Sequence, residues 1–273
     1  MNNYEKLEGM VAATFTPLDE NGDVNLSVID KYADWIASTP IKGIFVCGTT
    51  GEFSSLTIDE RKLILEKWLV SARKRFKVIA HVGSNCQRSA MELARHAAQV
   101  GADAIASIAP SFFKPGTVDE LVDFFAPICH SAAGLPFYYY NMPSITGVNL
   151  PVDKFLVEGK KKIPNLVGTK FTHNNLMEMG VCIELEQHRF EVLHGYDEIL
   201  ISGLAMGAVA GVGSTYNYIP NVYQAIFDSM KMNDLETARH NQIKSIRTVE
   251  VIIKYGGGVR GGKAIMKLIG IDC

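Results

Sequence analysis

The sequence predicts an α/β fold, specifically a (β/α)8 TIM barrel with additional C-terminal helices. Eight short runs of β-branched and small apolar residues recur along the 273 residues, at a spacing of roughly 28 residues that suits a strand-plus-helix unit. Most of the segments between these runs are long enough for a helix. No composition shift marks a linker between two domains.

The sequence predicts eight strands. They cover residues 10–15, 43–48, 77–83, 102–109, 136–141, 165–172, 190–195 and 208–214. Eight such units fit either an open doubly wound sheet or a closed barrel, and the chain length without a linker favours the barrel. We expect a barrel core over residues 1–218. The last barrel helix and a helical extension should follow over 219–273 in the same structural domain.

Helix signals separate the predicted strands. The clearest helix covers residues 57–76, where Thr57 and Glu60 have the spacing of a capping box. Another is predicted within the segment 89–103. It should end at Gly101, because glycine tolerates the left-handed conformation that ends many helices.

The end of the chain is also predicted to be helical, over 220–234 and 235–256. Residues 257–264, GGVRGGKA, fit the spacing of a phosphate-binding loop. Ala264 stands where that loop needs a serine or threonine for magnesium, and no strand precedes it. We therefore interpret 257–264 as a glycine-rich loop before one more short helix.

Composition and charge exclude several classes of function. A net charge of −2 supplies no basic stripe for nucleic acid. No apolar run reaches the ~20 residues of a membrane helix, and the N-terminal sequence has no leader pattern. Five scattered cysteines predict free thiols in a reducing, cytoplasmic compartment. The seven histidines show no metal-binding spacing, so neither a metal nor another cofactor is expected.

In a (β/α)8 barrel the chemistry lies at the carboxyl ends of the strands. Those positions are mostly polar here, although the strands that lead into them are apolar. The candidate site residues are Thr49, Thr50, Tyr140, Lys170, Thr172, Gly195, Asp197, Glu198 and Ser214.

Lys170 ends a strand, and two interpretations are open. A lysine at such a position commonly extends its amine into solvent. Alternatively, the barrel mouth desolvates the amine and lowers its pKa, so that it can attack a carbonyl group and form a Schiff base.

The stretch FYYYN at 137–141 holds three consecutive tyrosines. Side chains alternate along a strand, so Tyr138 and Tyr140 share one face and Tyr139 takes the other. All three could be packing residues with satisfied hydroxyls. Tyr140, last in its strand, could instead exchange a proton beside Lys170 on the next strand, about 4.8 Å away.

Two further polar segments also allow a structural and a functional interpretation. Thr49 and Thr50 lie in a glycine-bracketed turn that is either a plain capping turn or a nest for a carboxylate. Asp197 and Glu198 are either the acidic first turn of the next helix or acceptors for a polyhydroxylated substrate.

Four motifs, in order along nearly the whole chain, resemble those of the N-acetylneuraminate lyase and dihydrodipicolinate synthase superfamily. They are GTTGE at 48–52, YYNMPSITG at 139–147, GTKFT at 168–172, and GYDE with GVGSTYN within 195–217. Any one motif is weak evidence, but the four together are specific. The resemblance implies a (β/α)8 barrel with extra C-terminal helices, usually a homotetramer, and the activity of a pyruvate-dependent class I aldolase.

The resemblance also implies roles for individual residues. Lys170 would form the Schiff base, Tyr140 would act as acid and base, and Thr49 and Thr50 would hold the pyruvyl carboxylate. In the lyase branch the sugar tail would be lined by Thr172, Gly195, Asp197, Glu198 and Ser214.

Two features favour the lyase branch. Synthases carry an arginine after the proline of their YN-x-P motif, and Ile145 stands at that place. Lyases combine an apolar residue there with GYDE, as this chain does. The resemblance thus implies reversible cleavage of N-acetylneuraminate to pyruvate and N-acetylmannosamine. One departure is Phe112, where many members have a tyrosine that reaches a neighbouring subunit.

Two other functions are open. A related aldolase that acts on a 2-keto-3-deoxy sugar acid, or a dihydrodipicolinate synthase-like enzyme, would share Lys170 and Tyr140 and differ in the tail site. A sugar-acid-binding or regulatory protein on a barrel that has lost catalysis is less favoured, because the lysine, the tyrosine and the threonine turn are all present.

Overall fold

The computed structural model describes residues 4–273, and within them eight parallel strands close into a barrel in sequence order. The strands are Gly9–Ala13 (β1), Gly43–Val46 (β2), Lys77–His81 (β3), Ala104–Ile108 (β4), Phe137–Asn141 (β5), Leu166–Phe171 (β6), Glu191–His194 (β7) and Ala210–Gly213 (β8). Pairing of β1 with β8 closes the sheet. The predicted barrel is confirmed, and each strand lies inside or within one residue of its predicted range.

Eleven α-helices are present in the same residues. They are Val28–Ala37 (α1), Ile58–Ala72 (α2), Gln87–Val100 (α3), Val118–His130 (α4), Pro143–Thr146 (α5), Val152–Lys162 (α6), Leu176–Glu184 (α7), Leu200–Ala205 (α8), Pro220–Lys231 (α9), Leu235–Lys254 (α10) and Gly257–Leu268 (α11). The predicted capping box of α2 forms between Thr57 and Glu60, and α3 ends at Gly101 in the left-handed conformation. None of the helices within residues 4–273 combines the length and apolarity needed to cross a bilayer.

The predicted glycine-rich loop at 257–264 is wrong, because these residues are the first two turns of α11. Glycine has a low helix propensity, which favours a loop in the sequence. In this chain the close packing of α11 against its neighbours outweighs the low helix propensity of its glycines. A Cβ at Gly262 would collide with the ring of Phe15, and one at Gly261 would collide with Ile252 of α10. The absence of side chains lets α11 lie close to α10 and to the segment after β1.

The strands separate two apolar layers. Side chains that point inward fill the barrel and include Val11, Phe45, Tyr138 and Tyr140. Outward-pointing side chains, Tyr139 among them, pack between the barrel and the helices. The alternation predicted along β5 is therefore present, and it places Tyr140 at the inner carboxyl end of the barrel.

Candidate active site

Lys170 and Tyr140 are direct neighbours across the pairing of β5 with β6. Both side chains are almost fully buried, with 4% and 2% of their surface exposed. The lysine Nζ lies 4.1 Å from the centre of the Tyr140 ring and 4.3 Å from the centre of the Phe45 ring. The amine therefore does not reach solvent, and the structure favours the interpretation of Lys170 as a desolvated amine.

The surroundings of Lys170 favour its neutral form. Within residues 4–273 no carboxylate forms an ion pair with its Nζ. Burial lowers the pKa of Lys170 to about 7, although the negative charge of Asp197 acts in the opposite direction. At neutral pH a substantial fraction of such an amine has a free lone pair, which is what attack on a carbonyl carbon needs.

The three tyrosines of β5 have different partners. The hydroxyl of Tyr138 donates to Glu191 Oε2 (3.1 Å) deep in the barrel, and that of Tyr139 donates to Asn141 Oδ1 (3.4 Å) on the outer side. Only the hydroxyl of Tyr140 lies at the mouth, 3.2 Å from Thr49 Oγ1. Packing explains the first two tyrosines, whereas Tyr140 has its hydroxyl at the mouth, where a substrate could reach it.

The Tyr140 hydroxyl is neutral at physiological pH. Burial raises the pKa of Tyr140 to about 12, and the contact with the Thr49 hydroxyl only partly opposes that rise. The same hydroxyl lies 3.1 Å from the sulfur of Met142, a weak acceptor. Tyr140 therefore carries its own proton, and can take a proton from a substrate only while passing its own to another group.

The turn after β2 brings Thr49 and Thr50 to the same mouth, where both are partly buried. Its shape depends on the left-handed backbone of Cys47 (φ 54°) and Glu52 (φ 57°). His81 supports the turn from behind, since its Nδ1 lies 2.8 Å from the carbonyl oxygen of Cys47. Its ring also meets the Tyr140 ring edge-on at 5.9 Å between centres. The position of His81 therefore links the turn to Tyr140.

The remaining predicted site residues follow β6, β7 and β8. Thr172 is buried, and its Oγ1 has no hydrogen-bond partner in the part of the chain that the structure describes. Gly195 lies against it so closely that a Cβ would collide with this hydroxyl. Glu198 and Ser214 are partly buried beside them. The structure thus brings the predicted residues of three strand ends into one region.

Asp197 is buried, and its two carboxylate oxygens have different surroundings. Oδ2 accepts from the backbone N–H of Thr215 at 2.9 Å and from its hydroxyl at 2.6 Å. Oδ1 has no partner in residues 4–273 and lies against Gly213, where any Cβ would collide with it. Burial raises the pKa of Asp197 to about 6, and the Thr215 hydroxyl partly opposes the rise. Asp197 therefore binds to Thr215 in the segment after β8 and does not cap its own helix.

Some residues of this site carry no sequence signal. Tyr223 on α9 and Ser245 on α10 extend the contacts of Asp197, yet each lies alone in an ordinary helical pattern. Phe45 was assigned only to a strand, although its ring lies against the amine of Lys170. In residues 4–273 no three His, Cys, Asp or Glu side chains are grouped so that they could hold a metal ion.

A closed (β/α)8 barrel with a buried amine and a tyrosine hydroxyl at its mouth defines an enzyme class in which an amine can react with a carbonyl compound. The chain belongs to the dihydrodipicolinate synthetase family, whose model matches residues 6–273. This assignment confirms the resemblance that the four motifs indicated.

Two relatives and one solved structure show which members of this family the chain is similar to. The chain is 43% identical to N-acetylneuraminate lyase of Mus musculus, over 97% of this chain and 84% of the relative. It is also 43% identical to N-acetylneuraminate lyase of Gallus gallus, over 98% of this chain and 88% of the relative. A solved N-acetylneuraminate lyase (sialic acid aldolase) from Aliivibrio salmonicida superposes with a TM-score of 0.96 at 38% identity, covering 98% of this chain and 89% of that one.

Proposed function

We propose that this protein is an enzyme that reversibly cleaves N-acetylneuraminate to pyruvate and N-acetylmannosamine. The observation that carries the proposal is the buried amine of Lys170, 4.1 Å from the ring of Tyr140, at the mouth of a barrel. The relatives named N-acetylneuraminate lyase support the same activity, because they match this chain over nearly its whole length.

The reaction begins at Lys170. Its neutral Nζ attacks the C2 ketone of the open-chain sugar acid, and loss of water gives an iminium ion. The C3–C4 bond then breaks, and its electron pair moves into the iminium to form an enamine. Protonation of the enamine at C3 and hydrolysis release pyruvate and restore the amine. A pKa of about 7 suits both the attack and the later return of the proton.

Tyr140 removes the proton of the C4 hydroxyl while the C3–C4 bond breaks. Because burial keeps the tyrosine protonated, it acts as a relay that passes its own proton on as it accepts the one from C4. The Thr49 hydroxyl, 3.2 Å away, can receive it. We assign Thr49 and Thr50 to the substrate carboxylate, which completes the path from C4 to a negatively charged group.

The features that distinguish a lyase from a synthase lie at the same mouth. Ile145 is exposed on the short helix α5, directly after the strand that carries Tyr140. An aliphatic side chain there cannot bind the second carboxylate that a synthase substrate would present. Thr172, Asp197 and Glu198 instead supply hydrogen-bonding groups for a polyhydroxylated tail.

The decisive experiment compares cleavage of N-acetylneuraminate with cleavage of 2-keto-3-deoxygluconate, with pyruvate release as the readout for both. Faster release from N-acetylneuraminate supports the proposal. Preference for the second substrate would make the protein a different sugar-acid aldolase. No pyruvate from either substrate would favour a binding protein on a barrel that has lost catalysis.

Removing either tail carboxylate should lower kcat/KM for N-acetylneuraminate by roughly tenfold to 150-fold in Asp197→Ala or Glu198→Ala. The range reflects about 1.5–3 kcal/mol for a hydrogen bond to a charged group. Borohydride trapping of pyruvate should be nearly unchanged in both variants, because pyruvate has no tail. If both variants cleave N-acetylneuraminate normally, these carboxylates are not part of the sugar-binding site.

We also infer a homotetramer and a cytoplasmic location. The exposed rings of Phe112 (77%) and Phe113 (86%) after β4 support a contact with another subunit, since large apolar side chains on a loop tip are costly in water. Five cysteines without a disulfide agree with a reducing compartment. Light scattering at micromolar concentration tests the assembly, and a monomer would contradict it.

A further inference from the structure

Asp197 belongs to a closed ring of hydrogen-bonding groups that extends into the C-terminal helices. Its Oδ2 lies 2.6 Å from the Thr215 hydroxyl, which contacts the hydroxyl of Tyr223 on α9. The Tyr223 hydroxyl is 2.7 Å from Ser245 Oγ on α10, and Ser245 Oγ is 3.1 Å from the backbone carbonyl of Asp197. All four residues are more than nine-tenths buried, and Tyr223 and Ser245 are fully buried.

The number of hydrogens in this ring depends on the charge of Asp197. The ring has four oxygen–oxygen contacts, and each of its three hydroxyls supplies one hydrogen. With Asp197 ionised, Ser245 donates to Tyr223, Tyr223 to Thr215, and Thr215 to the carboxylate. The contact between Ser245 and the Asp197 carbonyl then lacks a hydrogen, but that carbonyl still accepts from Gln242 Nε2 at 3.0 Å.

A protonated Asp197 supplies the missing fourth hydrogen. The acid then donates to Thr215, and the other two hydroxyls reverse in turn. Thr215 donates to Tyr223, Tyr223 to Ser245, and Ser245 to the Asp197 carbonyl, so every contact contains one hydrogen. The same heavy-atom positions therefore accommodate both charge states, with opposite directions of donation around the ring.

We propose that Tyr223 and Ser245 are positioning residues that control the charge of Asp197 and, through it, the binding of the sugar tail. This inference rests on the proposed function, because it assigns Asp197 to the substrate. In the ionised direction, three hydroxyls in series polarise one another toward the carboxylate. Asp197 Oδ1, which has no partner in residues 4–273, is then the stronger acceptor for a sugar hydroxyl.

Other groups around Asp197 also affect whether its carboxylate is protonated or ionised. Lys170 on β6 favours the ionised carboxylate, and the adjacent Glu198 opposes it. The negative charge of Asp197 also acts on Tyr216 and Tyr218, but burial is the main reason that the pKa of both tyrosines is above the ordinary value, so both are neutral. Burial of Asp197 is the largest influence and raises its pKa to about 6, close enough to neutrality for the ring to change its charge state.

The test measures kcat/KM for N-acetylneuraminate from pH 5 to 9 in wild type, Tyr223→Phe and Ser245→Ala. Each substitution leaves two occupied contacts in either charge state, so the ionised form loses one hydrogen bond and the protonated form loses two. The part of the acidic limb that belongs to Asp197 should therefore move downward by about half to one pH unit, while the part that belongs to Lys170 stays at about 7. Ser245→Ala is the smaller change and keeps the test possible if Tyr223→Phe folds poorly.

Tyr216→Phe is the matched control. Tyr216 is fully buried, its ring centre is 4.4 Å from that of Tyr223, and its hydroxyl has no hydrogen-bond partner among the described residues. Its removal should leave the position of the acidic limb unchanged. An unchanged limb in both Tyr223→Phe and Ser245→Ala, or an equal shift in Tyr216→Phe, would overturn the inference.

A second measurement needs no substrate. Infrared difference spectra between each protein and its Asp197→Asn derivative follow the carbonyl band of the protonated Asp197 as the pH rises. The midpoint should be lower in Tyr223→Phe than in wild type, and an unchanged midpoint would overturn the inference even if the enzyme is active. Absence of N-acetylneuraminate cleavage in wild type would instead refute the proposed function, and the infrared titration would still test the ring.

Discussion

Lys170→Met should abolish cleavage of N-acetylneuraminate and at the same time stabilise the protein. Loss of the nucleophile should lower kcat/KM by roughly 10⁴-fold or more, because the iminium that accepts the electron pair no longer forms. Methionine fills a similar volume between the rings of Phe45 and Tyr140 and has no charge to desolvate.

The gain in stability follows from the pKa of Lys170. Burial lowers it from 10.5 in the unfolded chain to about 7 in the folded protein. Between these values the unfolded state binds a proton that the folded state does not, so wild-type stability falls as the pH falls from 10.5 toward 7. The variant has no buried amine, so its free energy of unfolding at pH 7 should be higher by on the order of 3 kcal/mol. This gain should appear as a higher denaturant midpoint. The difference should disappear above about pH 10.5.

Covalent trapping identifies the reacting amine directly. Borohydride reduction in the presence of pyruvate should add the mass of the reduced adduct to the peptide that contains Lys170, and to no other. Lys162→Met, which removes an exposed lysine paired with Asp123, should trap as wild type does. A label on another lysine, or normal trapping in Lys170→Met, would contradict the mechanism.

The neighbouring positions of Lys170 and Tyr140 could be predicted because they depend only on local patterns. Apolar runs locate the strands, and parallel order places consecutive strands side by side. Alternation then decides which tyrosine of β5 points inward. None of these steps requires knowledge of how distant segments pack, and the structure pairs the two residues directly.

The surroundings of Asp197 could not be predicted in the same way. Its ring joins residues 197, 215, 223 and 245, and the last two are isolated polar positions on helices whose orientation depends on tertiary packing. The helical state of residues 257–268 has the same cause, since its glycines are needed only because α10 and Phe15 lie so close. The charge states of Lys170 and Asp197 depend on burial, which the strand pattern does not specify.

Tyr140→Phe should remove cleavage while leaving the site otherwise intact. The substitution keeps the ring that contacts Lys170 Nζ at 4.1 Å and Phe45 at 5.6 Å between ring centres. It deletes only a hydroxyl whose partners are Thr49 and the sulfur of Met142. Because neither is a strong fixed partner, stability should change by about 1 kcal/mol or less. A large loss of activity can then be attributed to chemistry and not to unfolding.

The loss should appear in kcat for N-acetylneuraminate, by roughly 10²–10⁴-fold, the range of general acid–base catalysis. Without the hydroxyl, the C4 proton has no acceptor as the C3–C4 bond breaks, although Lys170 can still form an iminium with pyruvate. Borohydride trapping should therefore be retained in Tyr140→Phe.

Tyr139→Phe provides a control of equal size on the outer face of the same strand, where the hydroxyl contacts only Asn141. It should cleave N-acetylneuraminate within a few-fold of wild type, by roughly the effect expected for one weak hydrogen bond far from the substrate. Near-normal kcat in Tyr140→Phe, or equal losses in the two variants, would mean that the C4 proton leaves by a route that does not include the tyrosine at the barrel mouth.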